Sequence, residues 1–140
     1  MGITTGLPPQ KRLGVVPINL SGFSHFLLAA VLGHEFGIGV QNGCFCGHPY
    51  LLHLLGINPE EAEIIRTNML AGDRSAMPGM VRISFGLYNT EEEVNALIDA
   101  LKAISTGDFQ GEYNQDMASG EFHPKGWAPD FNKFFALSSQ

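Results

Sequence analysis

The stretch Met80-Val81-Arg82-Ile83-Ser84-Phe85-Gly86-Leu87-Tyr88-Asn89-Thr90-Glu91-Glu92-Glu93-Val94 changes its hydrophobic period halfway along. Residues 80–86 alternate, with Val81, Ile83 and Phe85 on one side and Arg82 on the other. This predicts a half-buried strand. Thr90 followed by Glu93 forms a capping box, and the acids at 91–93 complement the positive end of a helix. Val94, Leu97, Ile98, Leu101 and Ile104 then hold an apolar stripe at helical spacing. A strand that turns directly into an amphipathic helix sets the class: strands and helices share one small layered unit.

The same reading extends outward. Val15-Val16-Pro17-Ile18-Asn19-Leu20 is a strand, and Pro17 within it argues for a sheet edge because proline cannot donate to the ladder. Ser24 caps a helix over 25–36, and Gly37-Ile38-Gly39-Val40-Gln41 reads as a short strand leaving it. A short apolar helix spans Tyr50 to Leu55. Asn58, Pro59 and Glu61 open another that runs to about Ala71. Beyond Thr106-Gly107 the chain reads as an irregular tail rich in glycine, aromatics and acids, with a short helix at Pro129–Leu137 carrying Phe131, Phe134 and Phe135. The fold class is α/β or α+β, a short sheet with helices packed on one face. The division is residues 1–107 as the folded unit and 108–140 as a tail packed on it or on another domain.

A length of 140 residues suits one domain with a real core. An apolar content of 44% excludes intrinsic disorder. With 8 Lys+Arg against 14 Asp+Glu the net charge is −6, and no basic stripe is present, so nucleic acid and anionic membranes are poor partners. No apolar run reaches the ~20 residues of a membrane span. Met1-Gly2-Ile3-Thr4-Thr5 lacks the features of a secretory leader, and two cysteines one residue apart draw no disulfide framework, so the expected compartment is the cytoplasm.

Three features point to chemistry: the Cys44-Phe45-Cys46 loop, Arg82 on its strand, and the Tyr88-Asn89-Thr90 turn. A thiol attacks only as thiolate, and Cys46 precedes Gly47-His48-Pro49 and a helix start, a reasonable place for a reactive sulfur. A cysteine is also readily a small buried hydrophobe, the reading that composition alone favours. Cys44, Cys46, His48 and His53 offer metal-ligand types, but the Cys-x-Cys spacing is off the zinc pattern. Arg82 can fork onto a carboxylate with two parallel hydrogen bonds, or pair with a helix acid. His25, His34 and His123 have no acid–base partner at readable spacing and are taken as structural or surface residues. Gly37, Gly39 and Gly43 do not have the spacing of a dinucleotide loop.

The string Gly37-Ile38-Gly39-Val40-Gln41-Asn42-Gly43-Cys44-Phe45-Cys46-Gly47-His48-Pro49 resembles the cysteine loop of the class V aminotransferase family, which contains cysteine desulfurases and selenocysteine lyases. Its Gly-Cys-Phe-Cys core is especially similar to the loop of molybdenum cofactor sulfurases. Arg12 to Gly22 resembles the strand opening the family's C-terminal domain, and Val81 to Val94 its arginine strand and following helix. The resemblance covers about residues 11–105, in order. It implies the small C-terminal domain of a fold-type I pyridoxal phosphate (PLP) enzyme acting on a small amino-acid substrate, homodimeric in the parent protein. It places the persulfide-forming cysteine at Cys46 and the substrate-carboxylate arginine at Arg82, and gives Cys44 no role. Gln41 departs from the Arg-x-Gly-x-x-Cys pattern of desulfurase loops, removing a cation that would lower the thiol pKa. The family's cofactor domain precedes this region, and Lys11, Lys102, Lys125 and Lys133 lie outside any matching motif. This predicts a domain of a longer protein that neither binds PLP well nor turns over alone. Alternatives are an aminotransferase- or epimerase-like domain, and a non-enzymatic thiol- or metal-binding interaction module.

Overall fold

A computed structural model of the chain describes residues 3–5 and 14–130. Along the chain the elements are β1 (Ile3–Thr5), β2 (Val15–Leu20), α1 (His25–Phe36), β3 (Gln41–Gly43), α2 (His48–Leu54), α3 (Pro59–Leu70), β4 (Met80–Ser84), α4 (Glu91–Thr106), β5 (Tyr113–Gln115) and β6 (Phe122–Pro124). The first four strands form one sheet in the order β1-β2-β4-β3, and every pairing is antiparallel. The unit is therefore a small α+β arrangement with a separate β5-β6 hairpin.

One sheet face carries the core. Cross-strand partners share a face, so Ile18 opposite Val81 and Val16 opposite Ile83 form adjacent rows. Leu28, Val31 and Leu32 of α1 and Leu97, Ala100, Leu101 and Ile104 of α4 close over them in one cluster. Val81, at 0% exposure, lies at its centre. The expectation of helices on one face is met by α1 and α4. By contrast α3 buries no residue, and Leu51 of α2 is buried outside that cluster.

Local chemistry accounts for most of the boundaries. Ser24 accepts from the Leu27 amide, while Asn58 with Glu61 and Thr90 with Glu93 form complete capping boxes. Gly37 (φ +66°) and Gly107 (φ +77°) end α1 and α4 in the left-handed conformation that glycine adopts without steric cost.

Several expectations change. β2 lies between β1 and β4 rather than at an edge. Phe85 N–H donates to the Gly14 carbonyl, so by the two-residue alternation of the ladder Pro17 opposite Arg82 is a non-hydrogen-bonded pair. The missing N–H of Pro17 faces away from β4, and β1 pairs only with Ile18 to Leu20. β3 begins at Gln41, where the expected strand over 37–41 ended, because residues 41–43 are the ones in register with β4. α2 starts two residues early, and Ile98 on α4 is 42% exposed, while Ala100, outside the expected stripe, is buried.

The irregular tail contains ordered structure. The β5-β6 hairpin packs on α1, and Phe109 and Tyr113 join the margin of the core. The Glu35 carboxylate accepts from the Gln110 amide (2.9 Å), the Gly111 amide (3.0 Å) and the Tyr113 hydroxyl (2.9 Å). Trp127 stacks on His123 at 4.8 Å. Residues 131–137 of the expected terminal helix, including Phe131, Phe134 and Phe135, lie outside the described residues.

Candidate functional site

Arg82 occupies the middle of β4, with Pro17 of β2 on one side and Gln41 of β3 on the other. Val81 and Ile83 point into the core, so Arg82 stands on the opposite face, as its alternation predicts. Its guanidinium makes no hydrogen bond to a described residue, and its Nε is buried without a partner.

β3 leads at Gly43 into the turn Cys44-Phe45-Cys46-Gly47, closed by a 2.9 Å bond from the Gly47 amide to the Cys44 carbonyl. Phe45 (φ +51°) and Cys46 (φ +62°) both sit in the left-handed region, as the central residues of a type I′ turn do. Such positions normally take Gly, Asn or Asp; for other L-residues each costs about 1–2 kcal/mol. Strain of this kind concentrates at sites where geometry matters.

The two thiols differ. Cys44 is half-buried, donates to the Pro78 carbonyl at 3.3 Å, and is pushed up in pKa by burial, which keeps it a thiol. Cys46 is exposed, and its side chain makes no hydrogen bond to a described residue. The Phe45 ring lies over Arg82, with 5.4 Å from Cζ to the ring centroid. The structure thus brings the cysteine turn and Arg82 to one place on the sheet's outer face.

It does not bring the Tyr88-Asn89-Thr90 turn there. Gly43 is paired with Met80, and Gly86 lies six residues further along, roughly 20 Å at strand rise. Asn89 accepts from the Gly86 amide and donates to Glu93, and Tyr88 is 85% exposed. Asn89 and Thr90 thus build the cap of α4. His25 is buried, with Nε2 2.9 Å from the Met77 carbonyl. Burial pulls its pKa down against the opposing effects of Met77 and Asn42. It packs so closely on Gly79 that a Cβ there would come within 2.5 Å of the ring. Among the described residues no group of three or more His, Cys, Asp or Glu side chains is placed to hold a metal ion.

Nor do the described residues fit PLP, which needs a lysine beside the reacting atoms. Lys102 pairs with Asp99 (2.9 Å) on α4, across the sheet from Arg82, and Lys125 pairs with Glu112 (2.7 Å) at the hairpin. Lys11 and Lys133 lie outside the described residues. What the site offers is an exposed thiol one residue from the aromatic ring that faces Arg82, whose guanidinium has no carboxylate partner among those residues. The sequence reading singled out Cys46 and Arg82 but not Phe45 or Pro78. The aromatic between two cysteines was visible, but its partner follows only from the β3-β4 register.

Comparison with known proteins bears on the family. Residues 2–97 match the aminotransferase class-V family. The molybdenum cofactor sulfurase of Caenorhabditis elegans is 26% identical over 142 residues, covering 92% of this chain and 19% of that protein. Probable cysteine desulfurases of Vibrio cholerae and Treponema pallidum are 33% and 30% identical over 96 and 95 residues, each covering 68% of this chain and 18% of the relative. The chain thus spans about a fifth of the length of these relatives. With well over half of its residues matched, from Gly2 to Leu97, the chain belongs to the aminotransferase class-V family.

Proposed function

We propose that this chain is the small C-terminal domain of a PLP-dependent, cysteine desulfurase-like enzyme, in which Cys46 receives sulfur from a cysteine substrate and Arg82 holds that substrate's α-carboxylate. One observation carries the reading: the exposed Cys46 follows directly on Phe45, whose ring lies 5.4 Å from the Arg82 guanidinium. An amino acid whose carboxylate is forked by Arg82 would present its side-chain sulfur to the neighbouring thiolate. The Cys46 sulfur then forms the new S–S bond as the substrate's C–S bond breaks, and Cys46 is left as a persulfide. The electron pair of the broken bond stays with the substrate carbon and needs a cofactor. Neither lysine of the described residues, Lys102 or Lys125, stands beside Arg82, so a cofactor domain joined to this one would supply that group. The names of the relatives, desulfurases and a molybdenum cofactor sulfurase, support the same class of chemistry.

The test uses a polypeptide carrying this domain together with its cofactor domain. Cys46→Ala is expected to abolish sulfide release from cysteine while sparing the PLP absorbance, and Arg82→Met to raise KM for cysteine. Sulfide release that survives Cys46→Ala would overturn the assignment and favour an aminotransferase- or epimerase-like reaction.

A further inference from the structure

We infer that Phe45 is a positioning residue: its ring ties the Cys46 turn to the Arg82 guanidinium, so that thiol and cation act as one carboxylate-directed site. The inference rests on the roles proposed for Cys46 and Arg82 and adds the residue that couples them.

Three observations converge on it. The 5.4 Å separation of Arg82 Cζ from the Phe45 centroid falls within the ~6 Å reach of a cation–π contact. Arg82 has no carboxylate to orient it among the described residues, and its Nε is buried without a partner. Arg66 shows the contrast, since both oxygens of Glu63 hold its guanidinium. With hydrogen bonds missing, the aromatic face restrains the long Arg82 side chain and leaves its donors for a ligand.

The third observation is the backbone. A bulky aromatic at φ +51° is a conformation that L-residues seldom adopt, and the turn would form more readily with glycine or asparagine at that position. The contact with Arg82 offsets part of that cost. Because Cys46 is the next residue and shares the left-handed turn, whatever fixes Phe45 over Arg82 also fixes where the Cys46 sulfur projects. Plain space-filling by Phe45 would make no such link.

The experiment reads that link on the chain itself, without cofactor or turnover. Alkylation of Cys46 is followed by peptide mass with iodoacetate, which carries a carboxylate, and with iodoacetamide, its neutral analogue. The ratio of the two rates is normalised to the same chain unfolded in urea. Folded wild type is expected to favour iodoacetate by roughly threefold to fivefold, the scale of an exposed ion pair, and to lose the preference at high salt. Arg82→Met removes it, Phe45→Leu and Phe45→Met remove it, and Phe45→Tyr keeps it; thermal unfolding identifies any variant that has failed to fold. A preference lost in Arg82→Met but kept in Phe45→Leu and Phe45→Met would overturn the role of Phe45 and leave the reading of Arg82 standing. A wild type without preference, or an Arg82→Met that retains it, would overturn both.

Discussion

Replacing Cys46 separately by glycine and by alanine isolates the strain of the cysteine turn from the chemistry of its sulfur. Both substitutions remove the same exposed thiol, which has no hydrogen bond to a described residue, so that loss cancels between them. What remains is the Cβ at φ +62°. Alanine keeps it and its left-handed penalty of about 1–2 kcal/mol; glycine sheds the penalty but gains roughly 0.5–1 kcal/mol of unfolded-state entropy. The difference favours Cys46→Gly by about 0.5–1 kcal/mol. For 140 residues an unfolding entropy of about 0.3 kcal/mol/K turns this into roughly 2–3 °C in Tm. Urea unfolding under reducing conditions should show the same order as a shift of a few tenths of a molar in midpoint, at unchanged slope. The sign decides the matter. At a position with ordinary negative φ, alanine is the more stable of the two. Equal stabilities, or alanine above glycine, would refute a left-handed Cys46 and the strained turn with it.

Two further outcomes follow from the packing. Burial pushes the Glu35 pKa up, but hydrogen bonds from Gln110, Gly111 and Tyr113 outweigh it and hold the carboxyl below the ordinary glutamate range. Its contribution is therefore present above the unfolded-state pKa and lost as pH falls through the folded one; because the carboxylate is exposed and screened by solvent, Glu35→Gln should cost less than about 1 kcal/mol near neutrality and flatten the acid limb of urea midpoint against pH. On α4 and α1 the apolar positions are unequal: Leu28→Ala, at 1% exposure, should cost about 2–5 kcal/mol, whereas Ile98→Ala, at 42%, should cost less than about 1, both read as urea midpoints.

What was legible in the sequence was local. The caps at Ser24, Asn58 and Thr90, and the alternation of Val81, Arg82 and Ile83, depend on neighbours within four residues, and each is found where expected. What was not legible depends on register. Pro17 reads as an edge residue because its missing donor is obvious, while the direction that donor would have faced is set by the pairing with β4. The β5-β6 hairpin was hidden because its anchor, Glu35, lies about seventy-five residues upstream of the amides it receives. The Tyr88-Asn89-Thr90 turn was singled out beside the cysteine loop and Arg82, yet the polar groups of Asn89 and Thr90 are taken up in capping α4.

The candidate site shows the same division more sharply. Cys46 and Arg82 are thirty-six residues apart, and residue chemistry alone singled them out separately, one as a thiol nucleophile and one as a carboxylate fork, with only the family resemblance joining them. Register joins them: Gln41 opposite Arg82 and Gly43 opposite Met80 fix where β3 delivers the turn. Had β3 begun at Gly37, the turn would have left the sheet at a different point along β4, with Phe45 away from Arg82. Sliding β3 by one residue would also send Asn42, now on the core side opposite Val81, to the outer face and reverse its neighbours. The placement of β3, and hence of the thiol, is held by the packing of α1 on β3 and β4 on the far side of the sheet. Core substitutions such as Leu28→Ala therefore test the scaffold under the site, whereas Arg82→Met tests whether thiol and cation act together and the Phe45 series tests what couples them.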